Sequence, residues 1–250
     1  MLRGCIFFHV SSWGNEYENY LKEAEECLEQ QDGDRDLIEE LLMLEDEDVF
    51  VAGCKGDPES QYEIGCWMYD GDQGFSKDVC AAMAWWYRAA MQGYVKAQLK
   101  IAGMLFEGCD DVEKDKKEAF KWYLKAAEQN NSDAQNMAGR CYQCGWGCDV
   151  DYEKAFMYFD KAVEQNDLAA LNNLAVMYEN GQGCQKDVKK ARELFAKAVA
   201  GDFARAAYHL GRFYENGLGV ELDLEKAKEF YRKAAAKGDK DAKAALERLG

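Results

Sequence analysis

The stretch that decides the fold lies near the C-terminus of this 250-residue chain. Residues 206–220 read AAYHLGRFYENGLGV, and residues 223–235 read DLEKAKEFYRKAA. In both segments, small residues recur at helical spacing with large apolar residues between them, which is typical of a helix packed closely on a neighbour. The glycines at 217 and 219 predict a turn between the segments. Together, the two segments predict a helix–turn–helix hairpin.

The same hairpin recurs along the chain with a period of 36 or 37 residues. Each first helix contains a small residue that we call the anchor. The anchors are Ser60, Ala97, Ala134, Ala170 and Ala206, with a sixth at Ala242. Each second helix opens on an alanine that is followed three and four positions later by large apolar residues. These alanines are Ala82, Ala119, Ala155, Ala191 and Ala227.

Capping residues mark the ends of the predicted helices. An Asp stands four residues before the opening alanine of each second helix, where its carboxylate can accept orphan backbone N–H groups. These residues are Asp78, Asp115, Asp151, Asp187 and Asp223. A left-handed residue is expected to end each second helix. The candidates are Gly93, Asn130, Asn166, Gly201 and Gly238. Pro58 follows Asp57 at a position suited to a first helical turn.

The repeats predict an all-α protein, an α/α superhelical solenoid of about five helix–turn–helix repeats with N- and C-terminal capping helices. Residues 1–56 are predicted to be an acidic N-terminal segment with a degenerate capping repeat, and residues 239–250 a C-terminal capping helix. The repeats between them, which together span 57–238, are predicted at 57–93, 94–130, 131–166, 167–201 and 202–238.

Composition limits the partners that such a solenoid could bind. The 31 basic and 47 acidic residues give a net charge of −16, which argues against nucleic acid or anionic lipid as the main partner. Residues 1–56 hold 4 of the basic and 15 of the acidic residues, so most of the charge belongs to that end. No apolar run approaches the roughly 18 residues of a membrane span, and no signal peptide is recognised. We expect a cytoplasmic protein that does not bind membranes, with the monomer as the favoured state.

The unit over 206–235 resembles the Sel-1-like repeat family, a relative of the tetratricopeptide repeat. Residues 134–163 and 170–199 match the same motif, and residues 60–90 and 97–127 match it with one extra residue in the turn. The resemblance implies a non-catalytic adaptor or scaffold that holds another protein or a peptide on its concave face. The secreted branch of the family places paired cysteines at the small-residue positions of both helices. Those positions contain no cysteine here, so the disulfides of that branch are not implied.

Repeat solenoids bind along the concave face, which the first helices line. By analogy with tetratricopeptide grooves, the exposed first-helix positions lie two, six and nine residues after the anchor. The predicted partner-binding residues at these positions are Tyr62, Tyr69, Leu99, Phe106, Asn136, Arg140, Asn172, Glu179, Tyr208, Arg212 and Glu215. The aromatic residues suit a peptide or helix, and the asparagines and arginines suit a peptide backbone and a carboxylate. The alternative is that some of these side chains pack against second helices.

Two other functions are compatible with the sequence. The acidic N-terminal segment favours an inhibitor or immunity-type protein that blocks a basic partner. A metal or thiol-redox protein is the second alternative, because the spacing of Cys141, Cys144 and Cys148 suits zinc or redox chemistry. Cys141 and Cys148 align with apolar positions of other repeats, so packing thiols are the favoured interpretation. Scarce histidine and the lack of a nucleophile motif predict no catalytic residue, and no cofactor is predicted.

Overall fold

The structure is a computed structural model that describes residues 47–109 and 111–250. Within these ranges it contains twelve α-helices and no strand, which confirms the all-α prediction. The described part of the chain has no helix with the length and apolarity of a membrane span. Of the predicted N-terminal segment with its degenerate capping repeat, 1–56, the described residues include only 47–56, with a helix over Glu47–Cys54. The helices are α1 (Glu47–Cys54), α2 (Pro58–Asp70), α3 (Val79–Met91), α4 (Val95–Glu107), α5 (Lys116–Glu128), α6 (Ser132–Cys144), α7 (Tyr152–Glu164), α8 (Leu168–Asn180), α9 (Val188–Ala200), α10 (Ala204–Asn216), α11 (Leu224–Ala236) and α12 (Lys240–Leu249).

The described residues form two compact units, which divide in sequence between Gln129 and Asn130. In the described part of the first unit, the hairpins α2–α3 and α4–α5 follow α1, and α3 packs on α4. In the second unit, the hairpins α6–α7, α8–α9 and α10–α11 pack in chain order, and α12 packs on α11. Each unit is therefore a stack of helix–turn–helix repeats, the arrangement of an α/α solenoid.

The helix starts follow the predicted caps. In all five second helices the capping Asp accepts a hydrogen bond from the backbone N–H three residues later, as Asp78 does from Ala81 at 2.9 Å. Pro58 lies in the first turn of α2, as predicted, and Asp57 caps that helix. These contacts satisfy backbone donors that an isolated helix end would leave to water.

The prediction that Gly201 ends α9 in the left-handed region is wrong. Gly201 has a φ of −81°, and the left-handed residue is Asp202, with a φ of 71°. Asp202 lies 36 residues after Asn166 and 36 before Gly238, which are the left-handed residues of the neighbouring repeats. Asp tolerates this conformation because its short polar side chain can hydrogen-bond locally, so the register of the repeat decides the position.

The two helices of a hairpin approach each other closely at a small residue five positions after the anchor. A Cβ atom added at Gly65 would lie 2.5 Å from the Trp86 ring, and one added at Gly211 would lie 2.5 Å from the Tyr231 ring. Gly139 meets Phe159 in the same way, at 2.7 Å. The second and fourth repeats hold fully buried alanines at this position, Ala102 and Ala175. The aromatic ring of the second helix therefore fills the space that a larger first-helix residue would occupy.

Buried glutamines of the first helices link the two helices of a hairpin, and Gln98 also links its hairpin to the preceding one. The Gln98 amide nitrogen donates to the Ala90 carbonyl at 3.1 Å, and the Gln98 oxygen accepts from Gln129 at 2.9 Å. The first and third repeats contain the corresponding pairs Gln92–Gln61, at 2.8 Å, and Gln165–Gln135, at 2.8 Å. These contacts satisfy polar groups that would be costly to bury without a partner. In the fourth repeat, the two positions hold Leu171 and Gly201.

Two glycines of the first unit should respond in opposite ways to alanine. We expect Gly65→Ala to destabilise the unit by about 1–3 kcal/mol, because the new methyl group overlaps the buried Trp86 ring. Gly103→Ala should instead stabilise it by about 0.5–1 kcal/mol, because Gly103 lies inside α4 with no atom within 4 Å of an added Cβ. Urea unfolding followed by circular dichroism measures both changes, and equal shifts in the two variants would contradict the close approach.

Candidate functional site

The predicted aromatic residues of the first unit lie half-buried on α2 and α4. The Tyr69 ring centroid lies 5.4 Å from that of Trp86, and Tyr69 lines a pocket together with Leu99. Tyr62 packs on Tyr94, with ring centroids 5.5 Å apart. The Phe106 ring makes an edge contact, at 6.4 Å, with Tyr123 of the second helix α5. Phe106 thus contacts a second helix, as the alternative interpretation allowed.

The asparagines of the second unit are less exposed than the spacing predicted. Asn136 and Asn172 retain only 9% and 6% of their accessible surface. Asn173, one position further along α8, donates through its amide nitrogen to the Asn136 oxygen at 2.8 Å. The Asn172 nitrogen donates to the Asn173 oxygen at 3.4 Å, whereas the buried Asn172 oxygen has no hydrogen-bond partner among the described residues. We call Asn136, Asn172 and Asn173 the asparagine row.

The two predicted arginines are half-buried on α6 and α10. The Arg140 guanidinium lies 4.9 Å from the centroid of the Trp146 ring. Arg212 contacts the His209 Nδ1 atom at 3.3 Å and donates to the Glu179 carboxylate at 3.5 Å. A guanidinium has five N–H donors. Both arginines are thus positioned by aromatic or polar neighbours and keep donors for a ligand.

The last predicted residues, Tyr208 and Glu215, take part in contacts within the chain. The Glu215 carboxylate accepts hydrogen bonds from the Tyr231 hydroxyl at 2.5 Å and from Arg248 at 2.5 and 3.1 Å. The Arg248 bonds lower the pKa of Glu215, and the Tyr231 bond contributes. The Arg205 guanidinium lies 4.7 Å from the centroid of the Tyr208 ring. Glu215 joins α10 to α11 and α12 through these contacts.

His209 is a residue of this face that the predicted spacing missed. It lies three positions after the anchor, as Lys100 and Asn173 do in their repeats. Its imidazole stacks on the Phe195 ring, with centroids 4.7 Å apart and planes only 10° from parallel. Burial lowers the pKa of His209 to about 4, and the positive charges of Arg212 and Arg205 add to the effect. Polar residues stand at this third position in every repeat except the third, which has Met137, and this pattern was the sequence signal for His209 and Asn173.

The three cysteines of the cluster differ in burial. Cys141 is fully buried, Cys148 half-buried and Cys144 exposed. No three His, Cys, Asp or Glu side chains among the described residues converge as metal ligands would. Burial raises the pKa of Cys148, and the Asp149 charge adds to it, whereas a reactive thiol needs a lowered pKa. Cys141 occupies the apolar packing position that the repeat alignment predicted.

A family model described as Sel1 repeat matches the chain five times, at residues 58–94, 95–131, 132–167, 168–203 and 204–239. No curated protein matches the chain significantly in sequence. A Sel1 repeat protein from Oxalobacter formigenes has a similar structure, with a TM-score of 0.74 and 28% identity. That match covers 79% of this chain and 80% of the other.

Two further solved structures are similar. One is c5321, a protective antigen of uropathogenic Escherichia coli with an SLR fold, with a TM-score of 0.72 and 25% identity. That match covers 93% of this chain but only 51% of the antigen, so the chain spans about half of that protein. The other is the immunity protein Pa5087 from Pseudomonas aeruginosa, with a TM-score of 0.50 and 21% identity over 74% of this chain and 67% of that chain. The similarity to Pa5087 shows the fold alone.

The low pKa of His209 gives a testable pH dependence. The unfolded chain takes up a proton near pH 6.5, whereas folded His209 takes one up only near pH 4. The stability contributed by neutral His209 is therefore complete above pH 6.5 and is lost as the pH falls towards 4. Between pH 7 and pH 5, protonation of the unfolded chain at His209 should lower the free energy of unfolding by about 2 kcal/mol. We expect His209→Asn, which copies Asn173 of the preceding repeat, to abolish this part of the pH dependence.

Chemical denaturation of both proteins at the two pH values measures this difference, and NMR of the imidazole gives the pKa directly. A variant with the same pH dependence as the natural protein, or a His209 pKa near 6.5, would contradict the prediction.

Proposed function

Because this chain belongs to the Sel1 repeat family, we propose that it is a non-catalytic adaptor whose first helices form a concave face that binds another protein or a peptide. Sel1 repeat proteins generally mediate protein–protein interaction. The proposal includes a monomer in the cytoplasm. Its non-catalytic character is supported by His209, because an imidazole with a pKa of about 4 is a poor general base near neutral pH.

One observation carries the proposal, which is the unsatisfied oxygen of Asn172 in the asparagine row. A buried acceptor without a donor costs about 1–3 kcal/mol, and folded proteins seldom keep one. Asn172 lies beside Asn173 on the first helix α8, and a rotation that exposed its amide would bring an oxygen and a nitrogen to the surface. The backbone N–H and C=O groups of a bound peptide would then satisfy both atoms.

The arginines add charge selectivity to the same face of the second unit. Arg140 and Arg212 each present a guanidinium on a first helix, held in place by the contacts with Trp146 and with His209 and Glu179. A guanidinium binds a carboxylate through two parallel hydrogen bonds, which fixes both the position and the orientation of the ligand. We therefore propose that the partner segment is extended and carries at least one carboxylate.

Partner capture from the native cell with charge-reversed variants tests the proposal. The test variant is Arg140→Glu with Arg212→Glu, which reverses the charge of the first-helix face. The control variant is Lys161→Glu with Lys197→Glu, which makes the same change of net charge on exposed second-helix residues. Mass spectrometry should identify a protein that the natural chain and the control variant retain, and that the test variant loses by at least about tenfold.

Circular dichroism and thermal unfolding should first show that both variants are folded. Equal capture of every protein by the test and control variants would overturn the proposed face.

The acidic inhibitor remains an alternative, supported by the net charge of residues 1–56. Residues 1–46 lie outside the described residues, so that function stays a prediction. It requires long-range attraction to a basic partner, and affinity should therefore fall steeply with salt. Titration of the captured partner at 50 and about 500 mM salt, with the full chain and with residues 1–46 removed, distinguishes the two functions. The inhibitor predicts a large loss of affinity on truncation, and the adaptor predicts little change.

A further inference from the structure

A pocket of about 360 Å³ opens on the first-helix face of the first unit. Tyr69 of α2 forms one side, and Leu99, Gly103 and Met104 of α4 form the apolar remainder. Its volume lies near the lower end of the range for ligand pockets, which suits a side chain with its adjoining backbone. No residue of the second unit takes part in it.

Gly103 lines the pocket without a side chain. Gly103 lies six residues after the anchor, where the third and fifth repeats carry Arg140 and Arg212. An added Cβ would meet no atom within 4 Å, so packing does not require a glycine here, in contrast to Gly65. A glycine inside a helix costs about 0.5–1 kcal/mol relative to alanine. A glycine that weakens a helix without being required by packing indicates a functional reason for the glycine.

Two lysines lie over the Tyr69 ring, and one of them, Lys100, lines the pocket. The Lys100 ammonium lies 4.7 Å from the centroid of the Tyr69 ring and 5.0 Å from that of the Trp86 ring. The Lys77 ammonium lies over the same tyrosine ring, 5.5 Å from its centroid. Neither ammonium forms an ion pair with a carboxylate among the described residues. The aromatic rings thus hold two cations near Tyr69, and the charge of Lys100 is available to an anion in the pocket.

The opposite end of the pocket is negative. Glu107 lines it seven residues after Lys100, which is about 10 Å along α4 at the rise of an α-helix. This carboxylate would repel an anionic ligand group at its own end. The pocket is therefore polarised, and an anion is favoured only beside Lys100 and Tyr69.

We infer that this pocket binds a partner segment in which an aspartate or glutamate adjoins a residue of leucine or phenylalanine size. The apolar side chain lies over Gly103 against Leu99 and Met104, and the carboxylate pairs with Lys100. The inference deepens the proposed function, on which it rests, because it names the chemistry of a partner that the first helices bind. It uses residues of the first unit only, so it can be tested apart from the asparagine row.

The probe is the capped dipeptide acetyl-Asp-Phe-amide, and its neutral isostere acetyl-Asn-Phe-amide is the reference ligand. NMR titration of the full-length, isotopically labelled chain follows the backbone amides of Gly103, Met104 and Gly108. We expect saturable shifts of these amides at millimolar peptide, with the Asp peptide binding about fivefold more tightly than the Asn peptide, as for one partly exposed ion pair.

Three variants test the assignment. Lys100→Gln should abolish the difference between the two peptides, and Gly103→Leu should abolish saturable binding of both by filling the pocket. Lys96→Gln is the matched control, because Lys96 is an exposed lysine of α4 that lies over Tyr94, outside the pocket. It should leave both affinities unchanged. Thermal unfolding shows whether each variant is folded.

Equal affinity of the two peptides, persistent binding by folded Gly103→Leu, or no shift of these amides at millimolar peptide would overturn the inference. The proposed function fails by a different result, which is undiminished partner capture by the Arg140→Glu, Arg212→Glu variant. Loss of capture by that variant without dipeptide binding would reject the pocket alone.

Discussion

The close approach of two helices at one small residue is the constraint on which the rest of the structure depends. In the third repeat, Gly139 leaves room for the Phe159 ring, and the glycines at 65 and 211 do the same for Trp86 and Tyr231. Because the ring occupies the place of a first-helix side chain, each hairpin has one packing arrangement. Neighbouring hairpins within a unit then stack in register, which brings Asn173 within 2.8 Å of Asn136, 37 residues earlier.

The same register decides which polar groups the interior can hold. The buried Gln98 is tolerated because Ala90 and Gln129 lie where its amide needs an acceptor and a donor. Where the second glutamine of a pair is replaced by Gly201, the first is replaced by the apolar Leu171, so no polar group is left unpaired. Asn172 departs from this rule, because its buried oxygen has no hydrogen-bond partner among the described residues. Gly103 is a second exception, because it has no side chain at a position where packing would allow one.

Much of the fold could be predicted from the sequence, because the period, the capping aspartates and the anchors are local patterns that recur in each repeat. The candidate site could be predicted only in part. A change of one position turns a helical side chain by about 100°. The spacing taken from tetratricopeptide grooves therefore selected Asn136 and Asn172 but missed Asn173 and His209, which lie three residues after their anchors. The glutamine pairs join residues about 31 positions apart, and no local pattern reveals such a partner.

The central claim is that partners bind along the first helices rather than the second. Site-specific photo-crosslinking in the native cell tests it most directly, with a benzophenone amino acid at Gln143 of α6 or at Met157 of α7. Gln143 is half-buried on a first helix, and Met157 is 55% exposed on a second helix of the same repeat. The account predicts a crosslinked partner from position 143 and none from position 157. A partner crosslinked from position 157 and absent at position 143 would contradict it.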